Sequence, residues 1–525
     1  MSPAPPGDAA AADSRARLRR GLELALLLAG LGHAWRQRWL AEDAYISLRY
    51  ARNWARGLGL VFNPGERVEG YTNFLWTALL GLGARAGLDL EALALGLGML
   101  CTAGTLLAWI ALARRLVPAP AQVPVGLFAL VANYSWACFA TSGLELPLLS
   151  LLLGLSLCAL DPLREPRGPH AARARLARAA AAGALLALAV ATRPDALLFG
   201  VSAGVLLLAP RAGEAGGPGW LPARVARARL ASCAAGFALL YLPFTAWRVA
   251  YYGEWLPNTF HVKASAAWWS QGGLYLWELL RRYSLWAYAP LALWALWRWL
   301  SGRARPDPLV AALVAYAALH TLYVVRIGGD FMEARFLAVL LPFAYLLLER
   351  GLRAALRAPW LRGAALASLV LTSAFSPSVL PVGAIRDGIT DERSWAPYVQ
   401  LWKRAGAVFG EELPRDALVA TDAIGAFGYA SDLPLLDVLG LVDPHVARQP
   451  LARRSRPGHE KLAPIAYLEQ REAALLRIGS DLYALSGPPS LVLAGDRYYL
   501  LSPRPEIEAG FARAVARLEP LAAAR

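Results

Sequence analysis

EDAYISLRYARNWARGLGLVFNPGERVEGYTNFLW, residues 42–76, is the longest run of dense polar and charged chemistry without a long apolar interruption, and it lies between two segments that read as membrane-spanning. Glu42 and Asp43 lead into a predicted helix on which Arg49, Arg52 and Arg56 stand at i, i+3 and i+7 and so share one face. Asp43, Ser47 and Tyr50 share another. The spacing predicts a helix end at Gly57 or Gly59, and Asn63-Pro64-Gly65 then turns the chain into a short extended piece, 67–73. Acids, bases and aromatic rings are thereby gathered at a membrane surface.

Composition around this stretch sets the class. Of 525 residues, 57% are hydrophobic and only 17% charged, and the mean hydropathy is +0.39, which is too apolar for a soluble multidomain protein and fits a polytopic membrane protein. Nineteen tryptophans and nineteen tyrosines agree, because such rings favour the bilayer interface. Cys101, Cys138, Cys158 and Cys233 all fall in apolar runs and read as small buried hydrophobes rather than disulfides or ligands.

Residues 1–20 are rich in Ala and Pro, end in Arg15, Arg17, Arg19 and Arg20, and read as a disordered cytoplasmic tail. The first apolar segment runs from Gly21 to Trp35, and the charge of Glu23 together with the lack of a small-x-small site favours a retained anchor over a signal peptide. Eleven further apolar segments follow, at 74–90, 92–112, 121–140, 145–160, 179–192, 195–209, 230–247, 284–299, 308–325, 336–350 and 363–381. Basic connections at 164–178, 211–229, 298–305 and 350–362 mark the cytoplasmic side. Alternation then puts 42–76, Ser142–Glu145, Arg193–Asp195, 251–283, 326–335 and everything after 382 on the opposite side. One count conflicts: with the N-terminus and Arg114-Arg115 both inside, residues 74–113 must cross an odd number of times, yet they read as two segments, so either one of them is re-entrant or interfacial or the Arg114-Arg115 pair is outside. The expected architecture is a mainly α polytopic bundle of about eleven to thirteen spans over residues 21–382, with a large first extracytoplasmic loop at 40–76.

From 383 to 525 the pattern becomes that of a soluble, extracytoplasmic α/β domain. Strands are expected at Ala417–Thr421, Leu433–Leu439 and within Leu491–Leu501, and helices at Trp395–Phe409 and Ala463–Arg477.

Several short motifs follow in order: Ser142-Gly143-Leu144-Glu145, Thr192-Arg193-Pro194-Asp195-Ala196, Leu256-Pro257-Asn258-Thr259 with Lys263, Gly328-Gly329-Asp330-Phe331-Met332 with Arg335-Phe336, and Asp422 to Asp443. Together with the 42–76 stretch, and in this order over roughly four fifths of the chain, they resemble the bacterial arabinofuranosyltransferase-like membrane glycosyltransferases. That family belongs to the GT-C class, which takes sugars from polyprenyl phosphates. Where it typically shows two aspartates, this chain has Glu42-Asp43.

The resemblance implies a GT-C-like fold and transfer of a sugar such as a pentofuranose from a polyprenyl-phosphate donor to an envelope glycan or lipid acceptor. The setting is the bacterial cytoplasmic (inner) membrane, whose lipids are the other partner. In such a reaction a carboxylate takes the acceptor hydroxyl proton while C1 is attacked opposite the leaving phosphate. Asp43 is the implied base; the residues alone leave it equally readable as a helix N-cap. Glu42 points about 100° away on the same helix, and three roles stay open for it: acceptor hydroxyls, a divalent cation such as Mg2+, or solvent. Arg52, Arg67, His261, Lys263 and Arg335 are candidate cations for the leaving phosphate. For the Arg49, Arg52 and Arg56 stripe the other reading is anionic lipid headgroups, and for His261 it is interfacial packing. Glu145, Arg193, Asp195 and Asp330 stand at ends of apolar segments, where they bind substrate or pair with one another as internal struts. Asp422, Asp437 and Asp443 read as glycan contacts or as turn and cap residues. No Walker loop, dinucleotide fingerprint, zinc-spaced Cys/His set or nucleic-acid module is present, and the net charge of +15 fits cytoplasmic loops facing anionic lipid. The alternative from another class is a transporter or flippase for lipid-linked sugars.

Overall fold

Long apolar runs whose backbone groups must find partners within the chain form helices. The structure, a computed structural model, describes residues 6–523 apart from 118–123, 162–169, 210–222, 264–266, 304–306, 380–391, 452–456, 480–482, 484–488 and 494–495. The first part comprises α1 (Pro6–Arg36), α2 (Glu42–Ala55), α3 (Phe74–Arg85), α4 (Leu90–Leu116), α5 (Val125–Ala132), α6 (Tyr134–Phe139), α7 (Leu146–Leu160) and α8 (Ala171–Thr192). It continues with α9 (Phe199–Leu208), α10 (Ala223–Tyr252), α11 (Asn258–Lys263), α12 (Trp269–Arg282), α13 (Ala289–Leu300), α14 (Pro308–Arg326), α15 (Leu341–Ala355) and α16 (Pro359–Val379).

Among the described residues, four helices are long and apolar enough to cross a membrane: α4, α8, α10 and α14. Several other apolar segments are shorter or broken, as where Asn133 ends α5 and caps α6 by accepting from Trp136 N at 2.9 Å. Among the described residues the apolar segments therefore comprise these long helices together with shorter ones such as α3, α7 and α9. Residues 6–20, read as a disordered tail, are the start of α1, where Arg17 pairs with Asp13 and Arg19 with Glu23 at helical spacing.

The conflict over residues 74–113 has a geometric answer. α3 has 12 residues, about 18 Å of helix and too short for a hydrocarbon core of about 30 Å. It lies along α2, with Gly81 on the Trp54 ring. α4, with 27 residues, is the one of the two long and apolar enough to cross. At its far end Arg114 pairs with Glu23 of α1, Arg115 with Asp161 after α7 and Asp307 before α14, and Arg350 donates to Leu116 O. The acid and arginine motifs collect at the opposite end of the bundle.

The C-terminal part contains α17 (Glu392–Glu412), β1 (Val419–Thr421), α18 (Gly425–Ser431), β2 (Leu435–Asp437), α19 (Pro444–Ala447), α20 (Ile465–Gln470), β3 (Leu475–Ile478), β4 (Leu491–Leu493), β5 (Asp496–Leu500) and α21 (Pro505–Ala523). The sheet order is β2-β1-β3-β5-β4, with β1 parallel to β2 and β3, and β5 antiparallel to β3 and β4. The helix expected over 463–477 stops at Gln470. Glu472 takes a positive φ of 51°, and the fully buried Leu475-Leu476-Arg477-Ile478 run becomes a sheet strand instead. Helix α21 was not foreseen; it packs Ile507, Phe511, Ala514 and Leu518 into the core around Phe409.

Candidate active site

Helix α2 begins after the extended residue Ala41, and no side chain caps it. Asp43 is thus not an N-cap. Its Oδ2 instead accepts from Arg335 Nη1 at 2.6 Å, and the same nitrogen lies 3.4 Å from Asp330 Oδ2. Arg335 and Asp330 are almost wholly buried, whereas the Asp43 side chain is 20% exposed. Burial works against the Arg335 charge, but Asp330 and Asp43 outweigh it and hold the guanidinium above its ordinary pKa.

The loop carrying this pair needs its glycines. Gly328 and Gly329 take φ of +90° and +77°, and a Cβ on Gly329 would collide with the Tyr275 ring. Tyr275 pins the loop at two points, donating to Met332 O at 3.0 Å and accepting from Phe336 N at 3.1 Å.

A second charged chain runs beside the first. Arg193 donates to Glu145 Oε1 at 2.9 Å and to both carboxylate oxygens of Asp195 at 3.0 and 3.2 Å, and it lies over the Phe336 ring. Glu145 Oε2 accepts from Asn73 Nδ2 at 3.1 Å, and that nitrogen reaches Ser47 Oγ at 3.0 Å, one helical turn beyond Asp43. His320 of α14 has Nδ1 3.9 Å from Asp195 Oδ2 and Nε2 2.9 Å from Phe336 O. Asp43, Asp330, Arg335, Glu145, Arg193 and Asp195 are therefore brought together, the last three paired as struts. Ser47, Asn73, Tyr275 and His320 join them without having been singled out as site residues. The signal for His320 was present, as a lone ionisable residue in an apolar span.

The remaining candidates stand elsewhere. Glu42 is buried and turned toward the C-terminal domain, where Gly425 N donates to its Oε1. Burial and the neighbouring Asp43 raise its carboxyl well above the usual range. The arginine stripe of α2 grips that same domain. Arg49 donates to Gly428 O and Leu433 O at 2.7 Å each and to Phe62 O at 2.8 Å, and Arg52 donates to Tyr429 O at 2.7 Å. Arg52 and Arg56 both pair with Asp432, at 2.8 and 2.7 Å. Arg67 is exposed above the Tyr251 ring. His261 is half-buried against Phe260 on α11, a helix tied to the C-terminal domain by Asn258 Nδ2, which donates to Gly440 O at 2.8 Å. Lys263 ends α11, and its side chain lies outside the described residues.

The three aspartates of the C-terminal domain act on backbone. Asp437 accepts from Leu439 N and Val442 N, Asp443 from His445 N and Val446 N, and Asp422 from Gly479 N. Among the described residues, no group of three or more His, Cys, Asp or Glu is placed to hold a metal ion.

A family profile described as "Domain of unknown function (DUF8728)" matches residues 391–509. The terminal beta-(1->2)-arabinofuranosyltransferase of Mycobacterium tuberculosis is 32% identical over 338 residues, covering 58% of this chain and 51% of that protein. The protein of the same name from Corynebacterium glutamicum is 33% identical over 375 residues, covering 62% and 52%. The chain thus spans about half the length of the curated relatives it matches, and the resemblance read from its motifs is borne out by them. Among solved structures, ArnT from Cupriavidus metallidurans matches in the apo state with a TM-score of 0.53 and 14% identity over 93% of this chain and 98% of that one. ArnT bound to undecaprenyl phosphate matches with a TM-score of 0.52 and 13% identity over 92% and 97%. These likenesses establish the fold: a GT-C-like transmembrane helical bundle with a C-terminal domain. With its apolar helices, the chain is an integral membrane protein.

Proposed function

We propose that this relative of the terminal arabinofuranosyltransferases is itself a glycosyltransferase, moving a pentofuranose from a polyprenyl-phosphate donor to a hydroxyl of an envelope glycan or lipid. The observation that carries the reading is the placement of Asp43. It is the partly exposed end of a buried charge network, and Arg335 Nη1, 2.6 Å from its Oδ2, holds it in place. Asp43 takes the proton of the acceptor hydroxyl; the acceptor oxygen bonds to C1 of the sugar; the C1–oxygen bond to phosphate breaks, and polyprenyl phosphate leaves. Arg335 is already shared between Asp43 and Asp330, so its task is to orient the base. The departing phosphate is then left to Lys263 and Arg67. A divalent cation such as Mg2+ is given no place in this step, because Glu42 and Asp43 face different surfaces and do not form a shared seat for one.

In this reading the protein sits in the bacterial cytoplasmic membrane with the Asp43 end and the C-terminal domain on the outer face. The basic end, with Arg114, Arg115 and Arg350, lies inside. The deciding experiment incubates detergent-purified protein with a polyprenyl-phosphate arabinofuranose and an arabinofuranose-terminated oligosaccharide. Extension of the oligosaccharide in detergent is the expected result. Movement of the lipid-linked sugar that requires sealed vesicles, without extension, would make the protein a transporter.

A further inference from the structure

Glu42 and Asp43 are adjacent, yet they serve different surfaces. Asp43 faces the Asp330–Arg335 pair, and Glu42 faces α18 of the C-terminal domain. The approach of α18 to α2 depends on two missing side chains. A Cβ at Gly425 would stand 2.7 Å from Glu42 Oε1, and one at Gly428 would stand 2.8 Å from Arg49 Nη1. The Gly425 amide reaches the Glu42 carboxyl because nothing intervenes.

The charged groups that face Glu42 are Asp43 on its own helix, Asp422 after β1 and Arg477 on β3. Arg477 is committed elsewhere, to Asp496 Oδ2 at 2.5 Å and to Thr421 Oγ1 at 2.9 Å. A negative charge on Glu42 would therefore be buried between two other carboxylates with its nearest cation already engaged.

We propose that Glu42 is a positioning residue: as a neutral carboxylic acid it holds the Gly425 amide against the first turn of α2, and so fixes the direction in which Asp43 meets the acceptor hydroxyl. This makes the C-terminal domain part of the catalytic apparatus. It rests on the reading of Asp43 as the base. The raised carboxyl of Glu42, caused first by burial and then by Asp43, agrees with the neutral form.

The test uses the full-length protein in detergent with the donor and oligosaccharide named above, comparing Glu42→Gln, Glu42→Ala and Asp43→Asn. An amide oxygen at position 42 still accepts from Gly425, so Glu42→Gln should keep kcat within about threefold. Because it cannot ionise, it should also lose the alkaline fall in kcat expected of the native protein near pH 8. Glu42→Ala should lower kcat by roughly 10- to 100-fold with donor KM within about twofold, the signature of a misplaced base rather than lost binding. Native kcat in Glu42→Ala, Glu42→Gln as inactive as Glu42→Ala, or an unchanged alkaline limb in Glu42→Gln would each overturn the proposal. Should Glu42→Ala fail to fold, the activity and pH profile of Glu42→Gln decide alone. Normal turnover by Asp43→Asn would instead remove the base reading, whatever Glu42 does.

Discussion

Arg49 offers the sharpest test of how the two parts of the chain are joined. It is 1% exposed, lies over the Phe62 ring at 4.3 Å, and spends its guanidinium on Phe62 O, Asn63 Oδ1, Gly428 O and Leu433 O. Arg49→Met keeps most of the length and apolar contact but removes every donor. Phe62 O then keeps Asn53 Nδ2, and Gly428 O keeps Asp432 N. Leu433 O loses its guanidinium donor inside the interface. An orphaned buried carbonyl costs about 1–3 kcal/mol and each lost charge-assisted bond a similar amount. The guanidinium had itself paid a desolvation penalty, visible in a pKa lowered to about 9 by burial. The net loss should be about 3–5 kcal/mol, in line with breaking a buried charged contact. Arg56 provides the control: its side chain is 47% exposed and its contact with Asp432 is a surface pair, worth about 0–1 kcal/mol. Thermal unfolding in detergent, read with limited proteolysis of the C-terminal domain, should show Arg49→Met melting about 10 °C lower and releasing that domain early. Arg56→Met should be nearly unchanged. Equal behaviour of the two variants would refute the reasoning that α2 holds the domain through buried Arg49.

Arg335→Gln should reduce turnover by roughly 100-fold, because Asp43 and Asp330 lose their shared cation, and Arg335→Lys should recover part of it; steady-state kinetics of the three proteins checks this. Glu42 binds its proton more tightly folded than unfolded, so the stability it contributes is complete below its ordinary pKa of 4.5 and is lost as pH rises toward about 8. Melting temperature should therefore fall more steeply across that window in the native protein than in Glu42→Gln. Asp437 and Glu69, each raised to about 7 mainly by burial, slope the same way in both proteins and cancel in the comparison. With the four native cysteines replaced, an impermeant thiol reagent on intact cells should label cysteines placed at Pro64 and Glu254 and spare those at Arg173 and Ser301; the reverse pattern would invert the proposed topology.

Local chemistry in the sequence is enough to foresee α2, its end before Gly57, the strands around Val419 and Leu435, and the gathering of the acid and arginine motifs at one end of the bundle. Periodicity reports burial without saying against what. The Arg49, Arg52 and Arg56 stripe looks the same whether it meets phosphate, headgroups or backbone carbonyls, and only the fold shows that it meets carbonyls more than 370 positions away. The same limit applies to Leu475–Ile478, where a continuous apolar run fits a buried helix face or a sheet strand. α3 and α4 read as two spans because both are apolar, while the length that distinguishes them appears only once Ala86 and Gly87 end α3. Glu145, Arg193 and Asp195 were legible as costly charges at segment ends, but the choice between substrate contact and strut needed the distances.

The most direct measurement is sugar transfer by Asp43→Asn. The amide keeps the shape of the side chain and an oxygen for the Arg335 contact, so expression, membrane insertion and melting temperature should stay close to native. It cannot take a proton at neutral pH. The account predicts extension of the oligosaccharide slowed by roughly 1,000-fold at saturating donor and acceptor; turnover within about twofold of native would contradict the assignment of Asp43 as the base.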